Sequence, residues 1–219
     1  MVVAQGKRRR LSAQDWTTAA LDALATGGLA GVAVEPLAVQ LGATKGSFYW
    51  HFADRDALLV AALAQWEREH TDDVIALVET EPDVPARLRL LLSLGLGVFG
   101  DHPDGNGVEL ALLATARHPL VRPALARVSA RRISYLAGLF VELGLAPVEA
   151  HRRGLLAYTA YLGHAQLVHA TPELAPSGAA LRRYVDEVTA MLTSGTEPLP
   201  NNGATAARDR RGRRGRPQP

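Results

Sequence analysis

The sequence has no cysteine and few aromatic residues, and these shortages exclude several kinds of site. Without cysteine among its 219 residues, the chain can form neither disulfides nor thiolate metal sites. No apolar run reaches the roughly 18 residues of a membrane-spanning helix. The basic N-terminus is not followed by the hydrophobic segment of a signal peptide. We therefore expect a cytoplasmic protein.

Motifs of catalysis and metal binding are also missing. The segment GLGVFG fits G-x-G-x-x-G, but a helical pattern precedes it and no acidic residue stands about 20 positions later, as a dinucleotide site requires. The seven histidines form no H-E-x-x-H motif, and DHPDGNG lacks the closing glutamate of a calcium loop. No G-x-S-x-G elbow is present. We predict no metal, no cofactor and no enzymatic activity.

Charge is segregated along the chain. Residues 1–55 carry a net charge of +2, residues 56–194 carry −4, and the final segment from Gly195 carries +4. Basic ends around an acidic centre indicate that a polyanion binds near the ends and something else binds the middle.

Apolar residues recur at helical spacing through most of the sequence, with glycine and proline between the periodic segments. Ser12 is the predicted N-cap of a first helix that ends at Gly27-Gly28. A helix of barely two turns begins near Val34 and stops at Gly42. Thr44 caps a third helix. Further helices are predicted from Asp54 to about Val78 and over 84–100, 105–116, 120–144, 147–170 and 177–194. No segment alternates as a strand does, so the predicted fold class is all-α.

The stretch ATKGSFYWHF belongs to the second of two short helices joined by a tight turn. Phe48 and Phe52 are four residues apart and share the buried face, which turns Lys45, Gly46 and Tyr49 outwards. This is the layout of a helix-turn-helix, whose second helix enters the major groove by its N-terminal end.

The segment LAVQLGATKGSFYWHF resembles the TetR family of transcriptional regulators, and the resemblance extends from about Arg10 to His70. It implies that Lys45, Gly46 and Tyr49 lie at base edges. It also implies a base contact from Glu35 on the preceding helix. The residues that it implies for phosphate contacts are Thr44, Ser47, Trp50, His51 and Arg55. The chain departs from the family at Ala33, where a capping threonine or serine is usual.

The resemblance also implies a division of the chain. It places a DNA-binding domain at 10–70, with the helix-turn-helix at about 33–52, and a helical effector-binding and dimerisation domain at 71–194. Residues 195–219 are rich in glycine, proline, asparagine and arginine, so we expect them to form a disordered basic tail.

The last two long helices of the resembled family form a dimeric four-helix bundle. Two apolar stripes at helical spacing are the candidates here. They comprise Leu155, Tyr158, Leu162, Ala165, Leu181, Tyr184, Val185, Val188 and Leu192. Either stripe could instead belong to the core of the single chain.

Candidates for effector binding come from the middle helices, where a mostly apolar pocket with a few polar groups is expected. They are Trp66, His70, Phe99, Arg117, Arg132, Tyr135, Tyr161, His164 and Gln166. The sequence does not name the effector.

These features predict a homodimeric regulator, a ligand-responsive repressor, that binds a pseudo-palindromic DNA operator and a small-molecule effector and has no membrane partner. One alternative is a helical small-molecule-binding protein or enzyme whose basic termini are incidental. Another is non-specific coating of nucleic acid by the arginine-rich tail, whose deletion would then abolish binding.

Overall fold

The computed structural model describes residues 11–98 and 105–195, and none of these residues forms a β-strand. The predicted all-α fold class is confirmed. The basic N-terminal arm, Phe99 and almost all of the predicted tail lie outside the described residues. The helices are α1 Ala13–Gly31, α2 Val34–Gln40, α3 Lys45–Tyr49, α4 Arg55–Glu67, α5 Asp73–Val78, α6 Val84–Gly95, α7 Gly105–Ala114, α8 Val121–Glu142, α9 Pro147–Ala170 and α10 Gly178–Thr193.

The first helix begins with a capping box at Ser12, whose side chain accepts from the Asp15 amide while the Asp15 carboxylate accepts from the Ser12 amide. The regular helix is broken at Gly28, where the sequence predicted its end, because Gly28 takes a non-helical conformation with a φ of 61°. A short helical segment follows this break and continues to Gly31. Glycine tolerates such a φ without a steric penalty, which allows the chain to change direction here.

The fourth predicted helix is divided in the structure. A π-helical turn, Arg68–Asp72, separates α4 from α5. Thr71 within this turn is buried, and its hydroxyl accepts a hydrogen bond of 3.0 Å from Nε of Arg132 on α8. Single π-helical turns are uncommon and are frequent at functional sites. No local pattern in the sequence marks this turn, because its partner Arg132 lies 61 residues away.

Two hydrophobic cores organise the molecule. The first contains Trp16, Phe48 and Trp66 from α1, α3 and α4, and it continues into α7 and the first half of α8 through Leu112 and Val128. The second is formed by α6, the rest of α8, α9 and α10. Because the first core crosses residue 70, the predicted boundary at 70/71 does not separate the two cores, and the domain limits remain a prediction.

Helices α8 and α9 form a closely packed pair joined by a turn at Gly144, whose φ is 96°. Gly154 of α9 lies against the backbone of α8, and a Cβ at this position would stand 2.9 Å from the Ala137 nitrogen and 3.0 Å from the Ile133 oxygen. The absence of a side chain at Gly154 therefore sets the distance between these helices.

Candidate nucleic-acid interface and internal cavity

The helix-turn-helix is formed by α2, a turn at Gly42 with a φ of 60°, and α3. Thr44 caps α3 by accepting a hydrogen bond of 3.2 Å from the Ser47 amide. Phe48 is fully buried, and its ring packs edge-on against Trp16 of α1 at a centroid distance of 5.4 Å. This aromatic contact fixes α3 on α1 through its inward face.

The outward face of α3 is open to solvent. Tyr49 and Trp50 are 54% and 82% exposed, and Ser47 and His51 are partly exposed. The N-terminal residues Thr44, Lys45 and Gly46 are exposed as well. This end of the helix offers hydroxyls, backbone amides and one lysine, which are groups that can contact phosphates and base edges.

Gly46 is not required by the packing of the protein itself. A Cβ at this position would meet only the Thr44 hydroxyl, at an ordinary contact distance of 3.7 Å. The small size of Gly46 therefore leaves room for something outside the chain.

Glu35 and Lys45 form an ion pair between α2 and α3. The hydrogen bond from Lys45 lowers the pKa of Glu35 and raises the pKa of Lys45. Both side chains are exposed, so the pair adds little to stability. Lys45 would have to exchange Glu35 for another partner before it could contact DNA.

Arg55, for which a phosphate contact is predicted, forms several polar contacts within the protein. Its Nε donates to the Val32 carbonyl at 2.6 Å, and its Nη2 donates to the Leu29 carbonyl at 2.5 Å. Its Nη1 lies 3.6 Å from the Asp56 carboxylate. Arg55 thus supports the connection from α1 to α2. This structural role explains an arginine at this position without a phosphate contact.

Two further residues of α2 bear on this surface. Ala33 occupies the N-cap without a side-chain hydrogen bond, so the expected absence of a cap is observed. Val39 is 81% exposed, and the sequence analysis overlooked it. Val39 lies four residues after Glu35, on the same face of the helix. That spacing could have identified Val39 as an apolar group able to meet a thymine methyl.

A cavity of about 500 Å³ lies between α5, α6, α8 and α9. Its wall is mostly apolar, with residues such as Val74, Leu91 and Leu136, and the π-helical turn after α4 closes one side. Its size is within the range of small-molecule sites. Four of the predicted effector residues line it: His70, Arg132, Tyr135 and Tyr161.

The polar end of the cavity is built around Arg132 of α8. Its Nη1 donates to both carboxylate oxygens of Glu109, at 2.9 and 2.8 Å, and its Nη2 donates to the His70 carbonyl at 3.0 Å. The guanidinium carbon lies 5.8 Å and 5.6 Å from the ring centroids of Trp66 and Tyr161. Burial disfavours the charged form of Arg132, but the attraction of the Glu109 carboxylate is stronger, so the pKa of Arg132 is raised. Arg132 therefore links α8 to α4, the π-helical turn, α7 and α9.

Glu109 was missed by the sequence analysis, although it carries the charge that balances Arg132. It is 2% exposed, and the Tyr161 hydroxyl donates to its Oε2 at 2.6 Å. Burial, and then the charge of Glu109, raise the pKa of Tyr161, so its hydroxyl keeps the proton. The signal for Glu109 is a single acid within the apolar run VELALLA of α7.

Comparisons with known proteins agree with this geometry. The family of bacterial regulatory proteins known as the tetR family matches residues 17–62. A transcriptional regulator from Rhodococcus sp. Rha1 has 22% sequence identity and a TM-score of 0.73, with 87% of this chain and 100% of that chain covered. A structure from Rhodococcus sp. assigned to the TetR family of transcriptional regulators has 25% identity and a TM-score of 0.64, with 83% and 98% covered.

The chain has the fold of TetR-family transcriptional regulators, with the helix-turn-helix inside the segment that the tetR family matches and a larger helical region after it. The multidrug binding protein EbrR, complexed with malachite green, is also similar: identity is 26%, the TM-score is 0.61, and 85% of this chain and 98% of that chain are covered. No curated protein is significantly similar to the chain.

The other predicted effector residues within the described part of the chain do not line the cavity. Trp66 is buried beside Arg132, and His164 is 6% exposed and stacked on Tyr184. Arg117 is exposed at a more open depression near Leu29. Gln166 is exposed, and Phe99 lies outside the described residues.

The predicted dimer stripes are largely internal in the single chain. Burial of a side chain by its own chain leaves little of it to contact a second copy, so for these residues the alternative of intramolecular core applies. The buried members are Tyr158, Ala165, Leu181, Val185, Val188 and Leu192. Leu162 and Tyr184 are partly buried, and Leu155 is 44% exposed.

The described part of the chain contains neither a metal-binding cluster nor a helix able to span a membrane. Over residues 11–98 and 105–195, no group of three or more histidine or acidic residues is placed to hold a metal ion. In the same part of the chain, no helix combines the length and apolar character that crossing a membrane requires.

Proposed function

We propose that this protein is a ligand-responsive transcriptional repressor that binds a pseudo-palindromic operator as a homodimer. The observation that carries the proposal is the exposed N-terminal end of α3, which buried Phe48 holds against α1. A recognition helix must be rigid on one face and open on the other, and α3 has both properties.

In this proposal Lys45, Gly46 and Tyr49 meet base edges, while Thr44, Ser47, Trp50 and His51 contact phosphates. The exposure of these groups supports it. Arg55 contributes chiefly by fixing the carbonyls before α2. Glu35 competes with DNA for Lys45, because the two are paired in the free protein.

The proposed dimer uses the outward faces of α9 and α10. Apolar side chains remain on these faces: Leu155, Leu156 and Met191 are 44%, 57% and 65% exposed. Gly163 is exposed too and would let a second helix approach closely. Two-fold symmetry would place two α3 helices against two half-sites, about one helical turn of DNA or a multiple apart.

The proposed effector binds in the cavity beside Arg132. Its wall includes residues of the turn that ends α4, and α4 begins six residues after α3. A ligand that favours one arrangement of this turn would shift the population towards dimers whose α3 spacing no longer fits the operator. Ligand binding by the similar EbrR, which is complexed with malachite green, supports a small-molecule site in this fold.

Selection of bound fragments from the source genome, followed by titration of the enriched site, tests the DNA-binding part. Lys45→Ala should weaken specific binding by about 1–3 kcal/mol and relax discrimination at one base pair. Glu35→Gln should strengthen binding, because Lys45 is then released. Arg122→Ala, an exposed change on α8, is the matched control. If no fragment is enriched, the helical binding protein without a DNA target becomes the better account.

The oligomeric state is tested with Leu156→Glu in sedimentation experiments. A charge on this exposed face should convert a dimer into a monomer and abolish operator binding while the helix content is unchanged. A wild-type protein that sediments as a monomer at micromolar concentration would contradict the dimer.

A further inference from the structure

The charges at the polar end of the cavity are already balanced within the protein. Arg132 uses Nη1 for Glu109, Nη2 for the His70 carbonyl and Nε for the Thr71 hydroxyl. Glu109 accepts from Tyr161 as well, at 2.6 Å, and the Tyr158 hydroxyl lies 3.5 Å from its Oε1. A ligand in the cavity therefore meets the guanidinium of Arg132, whose charge is already neutralised by the buried Glu109 carboxylate.

A negatively charged ligand is disfavoured by this arrangement. An anion beside Arg132 would either share the guanidinium with Glu109, which is 2% exposed, or displace Glu109 from it. Sharing places two negative charges beside one positive charge, and displacement leaves a buried carboxylate without its counter-charge, which is costly in a protein interior.

A positively charged ligand is disfavoured for a different reason. Arg132 lines the cavity and Glu109 does not, so a cation entering the polar end meets the guanidinium first. Glu69 is the other charged lining residue, but it is exposed, it accepts from Gln65 at 3.3 Å, and it lies 3.9 Å from Arg68. Water and these neighbours screen its charge.

We propose that the cavity takes an uncharged, mostly apolar molecule that carries a carbonyl or hydroxyl group at one end. The apolar body would lie along Val74, Leu91 and Leu136. The polar group would accept a hydrogen bond from the second Nη2–H of Arg132, which none of the hydrogen bonds named above uses, so the ion pair with Glu109 would stay intact. The inference rests on the proposed function only in taking this cavity as the effector site.

The test compares three probes of similar chain length by isothermal titration: decan-2-one, decanoate and decylammonium. At about pH 7.5 only the ketone is uncharged, since carboxylates ionise near pH 4 and alkylammonium groups near pH 10. The ketone should bind about ten-fold more tightly than either ion. Equal or tighter binding of an ion, or no binding of the ketone, would overturn the proposal.

Glu109→Gln changes the charge of the wall without changing its shape. Arg132 is then unbalanced, so decanoate should gain about ten-fold relative to decan-2-one. Unchanged selectivity would show that the pair does not set the ligand class. Because this variant leaves a buried cation unpaired, its folding is checked by circular dichroism.

A second variant tests the same proposal if Glu109→Gln does not fold. Arg132→Met combined with Glu109→Gln removes both charges, a change that buried pairs often tolerate. It should remain folded and lose about ten-fold in ketone affinity. Arg131→Met, an exposed neighbour, should bind the ketone as the wild type does. Operator binding is measured separately, so intact DNA binding with failed probe selectivity rejects only this inference.

Discussion

The DNA-binding head, α1 to α4, and the body, α5 to α10, differ in the polar contacts that shape their best-defined features. In the head, Ser12, Thr44 and Asp54 cap the starts of helices at the surface through contacts three residues away. In the body, Arg132 and Glu109 pair in the interior across 23 residues. Short-range caps fix where helices begin, while long-range contacts, including those of Arg55 in the head, fix how helices meet. The comparison teaches that the starts of the head's helices can be read from nearby residues, whereas the buried pair of the body cannot.

The largest effect is expected from Phe48→Ala. Phe48 is fully buried in the core that joins the head to α7 and α8, so its removal should lower the free energy of unfolding by about 3–5 kcal/mol. Urea denaturation measures this loss. Tyr49→Ala, at the exposed neighbour, should change stability by less than about 0.5 kcal/mol. A similarly small change for Phe48→Ala would contradict a head whose packing depends on the buried Phe48 ring.

Arg55→Gln comes next and separates two roles for this side chain. Losing the charged donors to the Leu29 and Val32 carbonyls should cost about 1.5–3 kcal/mol of stability. If Arg55 is structural, the salt dependence of operator binding should keep its slope, because no phosphate contact is lost. A shallower slope with unchanged stability would restore the predicted phosphate contact.

Gly154→Ala tests how closely α8 and α9 pack in the body. The added Cβ would stand 2.9 Å from the Ala137 nitrogen, so α8 and α9 must separate, at a cost of about 1–3 kcal/mol. Gly138→Ala is the matched control, since a Cβ there meets nothing within 4 Å. Alanine is the better helix former, so this control should be neutral or more stable in thermal denaturation. Equal losses in both variants would refute the close approach.

The smallest expected effect is on the pH dependence of the free energy of unfolding. Burial lowers the pKa of His164 below its usual 6.5, and a hydrogen bond with the Leu96 backbone only partly opposes this. The unfolded chain then binds a proton more readily than the folded chain, so stability is retained above pH 6.5 and falls as the pH drops below it. Unfolding measured at several pH values should show a flatter profile for His164→Gln. An unchanged profile would place the acid sensitivity elsewhere.

Sequence patterns predicted the head well because its determinants are near one another in the chain. The caps at Ser12 and Thr44 and the spacing of Phe48 and Phe52 can each be recognised within a few residues. The π-helical turn at Arg68–Asp72 could not be found in this way, because Arg132 holds it from another helix. The stripes of α9 and α10 have the period of a helix face, but period does not tell whether that face meets its own chain or a second one.

The open space at Gly46 also bears on how such a regulator could change its target. A methyl group there would touch only the Thr44 hydroxyl, at 3.7 Å, and alanine favours a helix more than glycine does. Replacements at this residue should therefore be silent in the folding of the protein. During evolution, substitutions at this one residue can therefore change the preferred operator while the rest of the fold stays unaltered.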